Sequence, residues 1–227
     1  MVARDVYQLP LTPRNGVNAY LVGDVLVDSG YPLQFKKLLQ ATASRTIHAH
    51  ALTHAHADHA GGSKKLKSVL GIPIWVGADD ADGLRSGRAE PGDVPFGRSA
   101  LKSYMKFPGV EPDRELREGD QLAAGFVALE TPGHSPGHLA YWREQDGTLI
   151  CGDVFFNMSL ATTAVGLHTP PGFFTPNPAQ NRASARRLAA LQPKLVLFGH
   201  GPPLRDPVAL SAFAAALIDE RRQSGFK

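Results

Sequence analysis

The run Thr53-His54-Ala55-His56-Ala57-Asp58-His59-Ala60-Gly61-Gly62 places three histidines and an aspartate within six residues. Neutral imidazole nitrogens and a carboxylate oxygen are donors that suit zinc and similar divalent ions. The intervening alanines leave the donors unobstructed. Five of the nine histidines lie between His48 and His59, a density that a merely polar loop does not explain. Such a cluster constrains the fold. The apolar stretch Ile47–Leu52 reads as a strand that delivers the cluster at its C-terminal end, and further donors must reach the same place from elsewhere in the chain.

The candidates are His134, Asp153 and His200, each at the end of an apolar run: Gln121–Glu130, Leu149–Cys151 and Leu195–Phe198. The loops at strand ends are where α/β folds place their sites. With His54, His56, Asp58 and His59 they make seven donors, more than one four-coordinate zinc needs. Seven suit two ions, three histidines on one and an aspartate with two histidines on the other, sharing a carboxylate.

Strands and helices alternate around these runs. Val17–Asp28 reads as two strands joined by a turn at Gly23-Asp24. Helices are expected over about Gln34–Gln40 and from Gly61-Gly62-Ser63 to Leu70, with a strand at Ile72–Val76. Asn177-Pro178 reads as a cap followed by proline at the first helical position, opening a helix to about Leu191. A last helix is expected over Pro207–Arg221. Val25-Leu26-Val27-Asp28-Ser29-Gly30 echoes Leu149-Ile150-Cys151-Gly152-Asp153, and Ala49–His54 echoes Leu195–His200. The echo predicts an α/β protein of two similar β/α halves, sheets face to face and helices outside. Because the donors come from both halves, residues 1–227 are expected to form a single domain. Residues 77–118 (with a helix near Ser99–Met105) and 154–176 are expected to be irregular, substrate-facing loops.

Composition excludes several classes. At 227 residues, 43% apolar and 20% charged, the chain has the make-up of an ordinary globular protein. A net charge of +3, in scattered groups such as Lys64-Lys65-Leu66-Lys67, Arg186-Arg187 and Arg221-Arg222, is no nucleic-acid signature. The single cysteine, Cys151, permits no internal disulfide and reads as a small buried hydrophobe. No apolar run approaches a membrane span, and the first residues lack a secretory signal. The cytoplasm is the simplest location. His138 reads as a structural neighbour of the site, His48 and His50 as packed or surface residues, and His168 as a rim residue. Phe155, Phe156, Phe173 and Phe174 read equally well as a pocket rim and as core.

Thr53–Gly62, Thr131-Pro132-Gly133-His134-Ser135-Pro136-Gly137-His138, Gly152-Asp153 and Gly199-His200-Gly201-Pro202 together resemble the metal motifs of the metallo-β-lactamase-fold superfamily, most closely its glyoxalase II-like branch of hydrolases. The match runs from Val17 to Pro202. It implies a four-layer αββα sandwich. It implies that His54, His56 and His134 bind a first metal, that Asp58, His59 and His200 bind a second, and that Asp153 bridges them. Asp28 falls where the family carries an aspartate that orients a ligand histidine. Two divalent ions are implied, with zinc foremost and iron or manganese as alternatives.

The expected activity is hydrolysis of a small ester-type substrate, a thioester or lactone, by a metal-bound hydroxide, with Asp58 as the catalytic residue that orients the nucleophile and passes a proton on. Only 27 residues follow His200, too few for the helical domain with which glyoxalase II holds glutathione. True β-lactamases lack the bridging aspartate. An alternative is a persulfide dioxygenase with one iron on His54, His134 and Asp153. A ribonuclease Z-like phosphodiesterase is a third reading. In its favour stand Arg85, Arg88 and Arg98; against it, Asp79, Asp80, Asp82, Glu90 and Asp93 in the same stretch leave no strong field for phosphate.

Overall fold

The computed structural model describes residues 1–89 and 106–217. Two sheets carry the architecture. The first has six strands in chain order: β1 (Val6–Pro10), β2 (Asn18–Val22), β3 (Val25–Val27), β4 (Ala49–Ala51), β5 (Ile74–Gly77) and β6 (Arg114–Leu116). Its first three strands pair antiparallel and the rest parallel. The second sheet contains β7 (Val127–Glu130), β8 (Leu139–Arg143), β9 (Thr148–Gly152) and β12 (Leu195–Phe198), in the order β12-β9-β8-β7. Between β9 and β12 lies a separate hairpin, β10 (Phe156–Met158) with β11 (Val165–His168).

Period-two alternation sorts the side chains of each strand onto two faces. Tyr20, Val22, Val25 and Val27 point inward and meet Ala128, Leu139, Tyr141, Ile150 and Leu197 of the facing sheet. Ala19, Leu21 and Leu26 point outward against α1 (Phe35–Thr42) and α3 (Ser63–Leu70), through Leu38 and Leu66. Ile74 and Val76 lie under α2 (Ala57–Ala60) and α4 (Ala81–Ser86). Leu149, Cys151, Val196 and Phe198 lie under α5 (Pro178–Ala190) and α6 (Pro207–Ala216). The result is the four-layer αββα order, with the sheets facing one another. No helix among the described residues is long and apolar enough to cross a membrane.

Several elements differ from the sequence expectations. β1 lies upstream of the first strand expected. Between Gln121 and Val127 the chain reverses at Ala124-Gly125, both at positive φ, so only Val127–Glu130 continues as a strand. Within 77–118, α4 covers the first sheet and β6 extends it, so these parts belong to the frame rather than to a loop. The helix expected near Ser99–Met105 lies outside the described residues, as does the end of the helix expected to reach Arg221. Within 154–176, Phe156–His168 form a hairpin rather than an irregular loop, whereas 169–176 are irregular apart from a single 3-10 turn at Gly172–Phe174. At α5 the Asn177 side chain accepts a hydrogen bond from the Gln180 amide at 3.0 Å, as its capping position predicts.

Candidate metal centre

All seven sequence-derived candidates reach one rim. His54 and His56 follow β4, Asp58 and His59 open α2, and His134, Asp153 and His200 follow β7, β9 and β12. Their donor atoms form three groups within 4.8 Å: His54, His56 and His134; His54, His59 and Asp153; Asp58, His59 and His200. Asp153 is central. Its Oδ2 lies 3.2 Å from His200 Nε2, 3.4 Å from His134 Nε2 and 3.9 Å from His54 Nε2, and its Oδ1 lies 3.4 Å from His59 Nε2. Asp58 Oδ2 is 3.3 Å from His200 Nε2 and 3.8 Å from His59 Nε2.

The Nδ1 partners decide which nitrogen is free. Asp28 Oδ2 takes the proton of His59 Nδ1 at 2.8 Å. The Gly16 carbonyl takes that of His200. The Thr53 hydroxyl donates to Asp28 Oδ2 at 2.8 Å and so accepts from His54 Nδ1 at 3.1 Å. Thr175 Oγ1 donates to the Pro171 carbonyl at 3.0 Å and accepts from His134 Nδ1 at 3.1 Å. In each case Nε2 is the nitrogen that faces the rim. Buried Nε2 atoms of His54, His56, His59 and His134, and Oδ1 of Asp153, have no hydrogen-bond partner. Buried polar atoms are seldom left unpaired. Convergent unpaired donors of this chemistry fit divalent metal ions.

The electrostatics agree. Burial pushes the His54 imidazole well below its ordinary pKa, with His59 and His56 adding to it. Burial also takes His56 down to about 3, helped by His134. For His59 and His200 burial is the largest single influence and acts in the same direction, but the carboxylates together outweigh it: Asp153, Asp28 and Asp58 at His59, Asp153 and Asp58 at His200. His59 is raised well above its ordinary value and His200 is raised to about 10. Burial would lift Asp153, yet His200 and His59 hold it well below the carboxylate range. Three buried or half-buried carboxylates, Asp28, Asp58 and Asp153, thus demand positive charge at this rim, and a cation answers that demand.

The space is reserved as well. A Cβ on Gly199 would sit 2.0 Å from Asp153 Oδ1 and 2.7 Å from His59 Cε1. His138, the expected structural neighbour, accepts the Asp153 amide proton at Nε2 (3.0 Å), while its Nδ1 meets Thr131 Oγ1 at 2.8 Å. Buried His50 bridges the Leu26 carbonyl and Ser63, and His48 is exposed beside Asp24.

Sequence reasoning did not single out Asp80, Thr53 or Thr175. Asp80 is buried. Its Oδ2 accepts from the Ala55 amide (2.9 Å) and Ser135 Oγ (2.7 Å), and its Oδ1 from the Gly137 amide (2.7 Å). It thereby joins the loop of His54 and His56 to the loop of His134. The aromatic residues divide: Phe155 is core, whereas Phe156 stands 4.5 Å from the His200 ring, centroid to centroid. A cavity of about 160 Å³ opens over the rim, walled on its apolar side by Val17, Tyr31, Phe156, Leu160 and Phe174.

The model of the metallo-beta-lactamase superfamily matches residues 12–200. The probable metallo-hydrolase YflN of Bacillus subtilis (strain 168) is 26% identical over 79% of this chain and 76% of its own length. A hydroxyacylglutathione hydrolase of Rhodospirillum rubrum is 32% identical over 65% of this chain, but the match spans only 46% of that protein. Among solved structures, TTHA1623 in a di-iron-bound form superposes with a TM-score of 0.66 at 32% identity, covering 88% of this chain and 94% of that one. The match of the family model over residues 12–200, together with the four-layer frame, makes the chain a member of the metallo-beta-lactamase superfamily.

Proposed function

We propose that this protein is a metal-dependent hydrolase that holds two divalent ions and cleaves an ester-type bond in a small molecule, a thioester or a lactone. The observation that carries the reading is the set of unpaired donors converging on both sides of Asp153. His54, His56 and His134 would hold one ion, Asp58, His59 and His200 the other, and Asp153 would serve both. Because these residues come from both sheets, residues 1–227 act as one unit. The ions, when bound, supply Lewis acidity and activated water at neutral pH.

The remaining chemistry belongs to the chain. Burial would raise the Asp58 carboxyl, but His59 and His200 hold it below its ordinary range, so it is an ionised acceptor. It lines the cavity and orients the attacking water, then passes a proton to the leaving group. Phe156, Leu160 and Phe174 exclude bulk water. The relative named a hydroxyacylglutathione hydrolase supports an acyl substrate. The di-iron form of TTHA1623 supports a two-ion count and keeps iron beside zinc as its identity. No Lys or Arg lines the cavity among the described residues, which disfavours a phosphodiester.

Elemental analysis of protein purified without added metal tests the reading, together with a panel of thioesters, lactones and phosphodiesters. About two ions per chain and metal-dependent ester cleavage are expected. One iron per chain with oxygen uptake on a persulfide would instead establish the dioxygenase.

A further inference from the structure

A second cavity, of about 430 Å³, adjoins the one over the metal centre and shares Phe156 and Leu160 with it. Met158, Pro171 and Phe173 add apolar wall, and His168 is its single ionisable side chain among the described residues. The β10–β11 hairpin builds it, and that hairpin is tied to the metal centre. The Asn157 amide donates to the His200 carbonyl at 2.9 Å, and Asn157 Nδ2 donates to the Pro202 carbonyl at 2.8 Å. At the hairpin's far end Arg14 Nη1 donates to Thr163 Oγ1 at 2.6 Å. Leu160 stays 44% exposed at the junction of the two cavities, so apolar surface there is uncovered.

We propose that this second cavity holds the aliphatic chain of the substrate, so that the bond cleaved belongs to an uncharged ester or thioester carrying an unbranched alkyl tail. The inference rests on the hydrolase reading for what happens at the metals, and on the cavity alone for the tail. An apolar cavity opening onto a polar reaction centre suits a ligand with one reactive head and one hydrocarbon end. A leaving group rich in carboxylates would need charge-assisted donors such as Arg or Lys. Neither cavity presents one among the described residues, and Asp58 and Asp153 stand beside the reacting position.

The test uses zinc-loaded protein carrying ¹³C-methyl methionine, with the Met158 signal assigned by Met158→Leu. The probe is N-octylacetamide, an uncharged amide that carries the tail, with N-ethylacetamide as its short counterpart. Saturable movement of the Met158 signal with the octyl compound, at concentrations where the ethyl compound leaves it in place, is the expected result. Equal response to both, or none to either, overturns the proposal. In parallel, kcat/KM for acetyl to decanoyl thioesters of N-acetylcysteamine should climb roughly fourfold per added methylene, and Phe173→Ser should flatten that climb. A flat series in the native protein, with acetyl thioester still cleaved, overturns the tail site and leaves the hydrolase reading standing. If no thioester or lactone is cleaved, the hydrolase reading falls, and the Met158 titration still decides the tail site.

Discussion

A single hydroxyl at Thr175 decides which nitrogen of His134 is free. Because Thr175 Oγ1 gives its proton to Pro171, it can only accept from His134 Nδ1, and Nε2 is left bare. Thr175→Val keeps the shape and removes the acceptor. Its expected effect is a loss of metal affinity of about tenfold to a hundredfold with the fold retained, read by chelator competition and circular dichroism. His50 gives a prediction of the opposite kind, since it touches no ligand. Burial lowers its pKa to about 4, against the pull of the Leu26 carbonyl and Asp28. The unfolded chain, titrating near 6.5, therefore binds more protons than the folded one between these values. His50 contributes its full share above pH 6.5, and about 3 kcal/mol is lost as pH falls towards 4. Urea midpoints of metal-stripped protein should drop more steeply between pH 7 and pH 4.5 for the native chain than for His50→Gln; parallel curves would contradict the assignment. At this scale the donor types and their spacing were legible, because they sit in short runs between small residues. Thr175 was not, because its partner is 41 residues away.

Among the elements, the turn between β5 and α4 has a role that its composition conceals. Asp79, Asp80 and Asp82 read alike as acids in a mixed-charge stretch, yet only Asp80 turns inward and binds two backbone amides and a hydroxyl from separate loops. Burial raises its carboxyl even though these three donors favour ionisation. Asp80→Asn replaces an acceptor by a donor facing other donors, and it should loosen the His54–His56 loop from the His134 loop. The expected outcome is retention of close to one ion per chain after dialysis, instead of two, with activity down at least about tenfold. Two ions retained would remove Asp80 from the account. Gly199→Ala acts on the same centre from β12: its Cβ would displace Asp153 and His59 together. That variant should lose metal binding altogether by elemental analysis. The long apolar strands and the capped helix α5 were legible because their burial pattern is local. Apart from β1, the missed strands are short. Arg114-Glu115-Leu116 becomes a strand by pairing with β5, and β10 and β11 pair only with one another.

Across the molecule, the echo between the two halves proves to be a reciprocal brace. Tyr20 on β2 sends its hydroxyl across the interface to the Phe198 carbonyl at 2.7 Å, two residues before His200. Tyr141 on β8 returns the contact, bonding the Leu52 carbonyl at 2.7 Å just before Thr53 and His54. Each sheet thus holds the strand end that delivers the other's ligands, and each phenol is raised well above its ordinary pKa, chiefly by burial. The repeat of apolar runs ending in donors made two facing halves legible in the sequence. The tyrosines were not legible, since a Tyr in an apolar strand reads as packing until its hydroxyl is seen to cross. The two braces differ in redundancy. The Phe198 carbonyl also accepts from Asn18 Nδ2 at 3.0 Å, whereas the Leu52 carbonyl depends on Tyr141 for its side-chain donor. Tyr141→Phe should therefore cost about 1–3 kcal/mol, the penalty of a stranded buried carbonyl, and Tyr20→Phe about 1 kcal/mol or less. Urea unfolding of the two variants in metal-stripped protein measures the order. Equal or reversed losses would show that the carbonyls find other donors, and that the halves are held by their apolar faces alone.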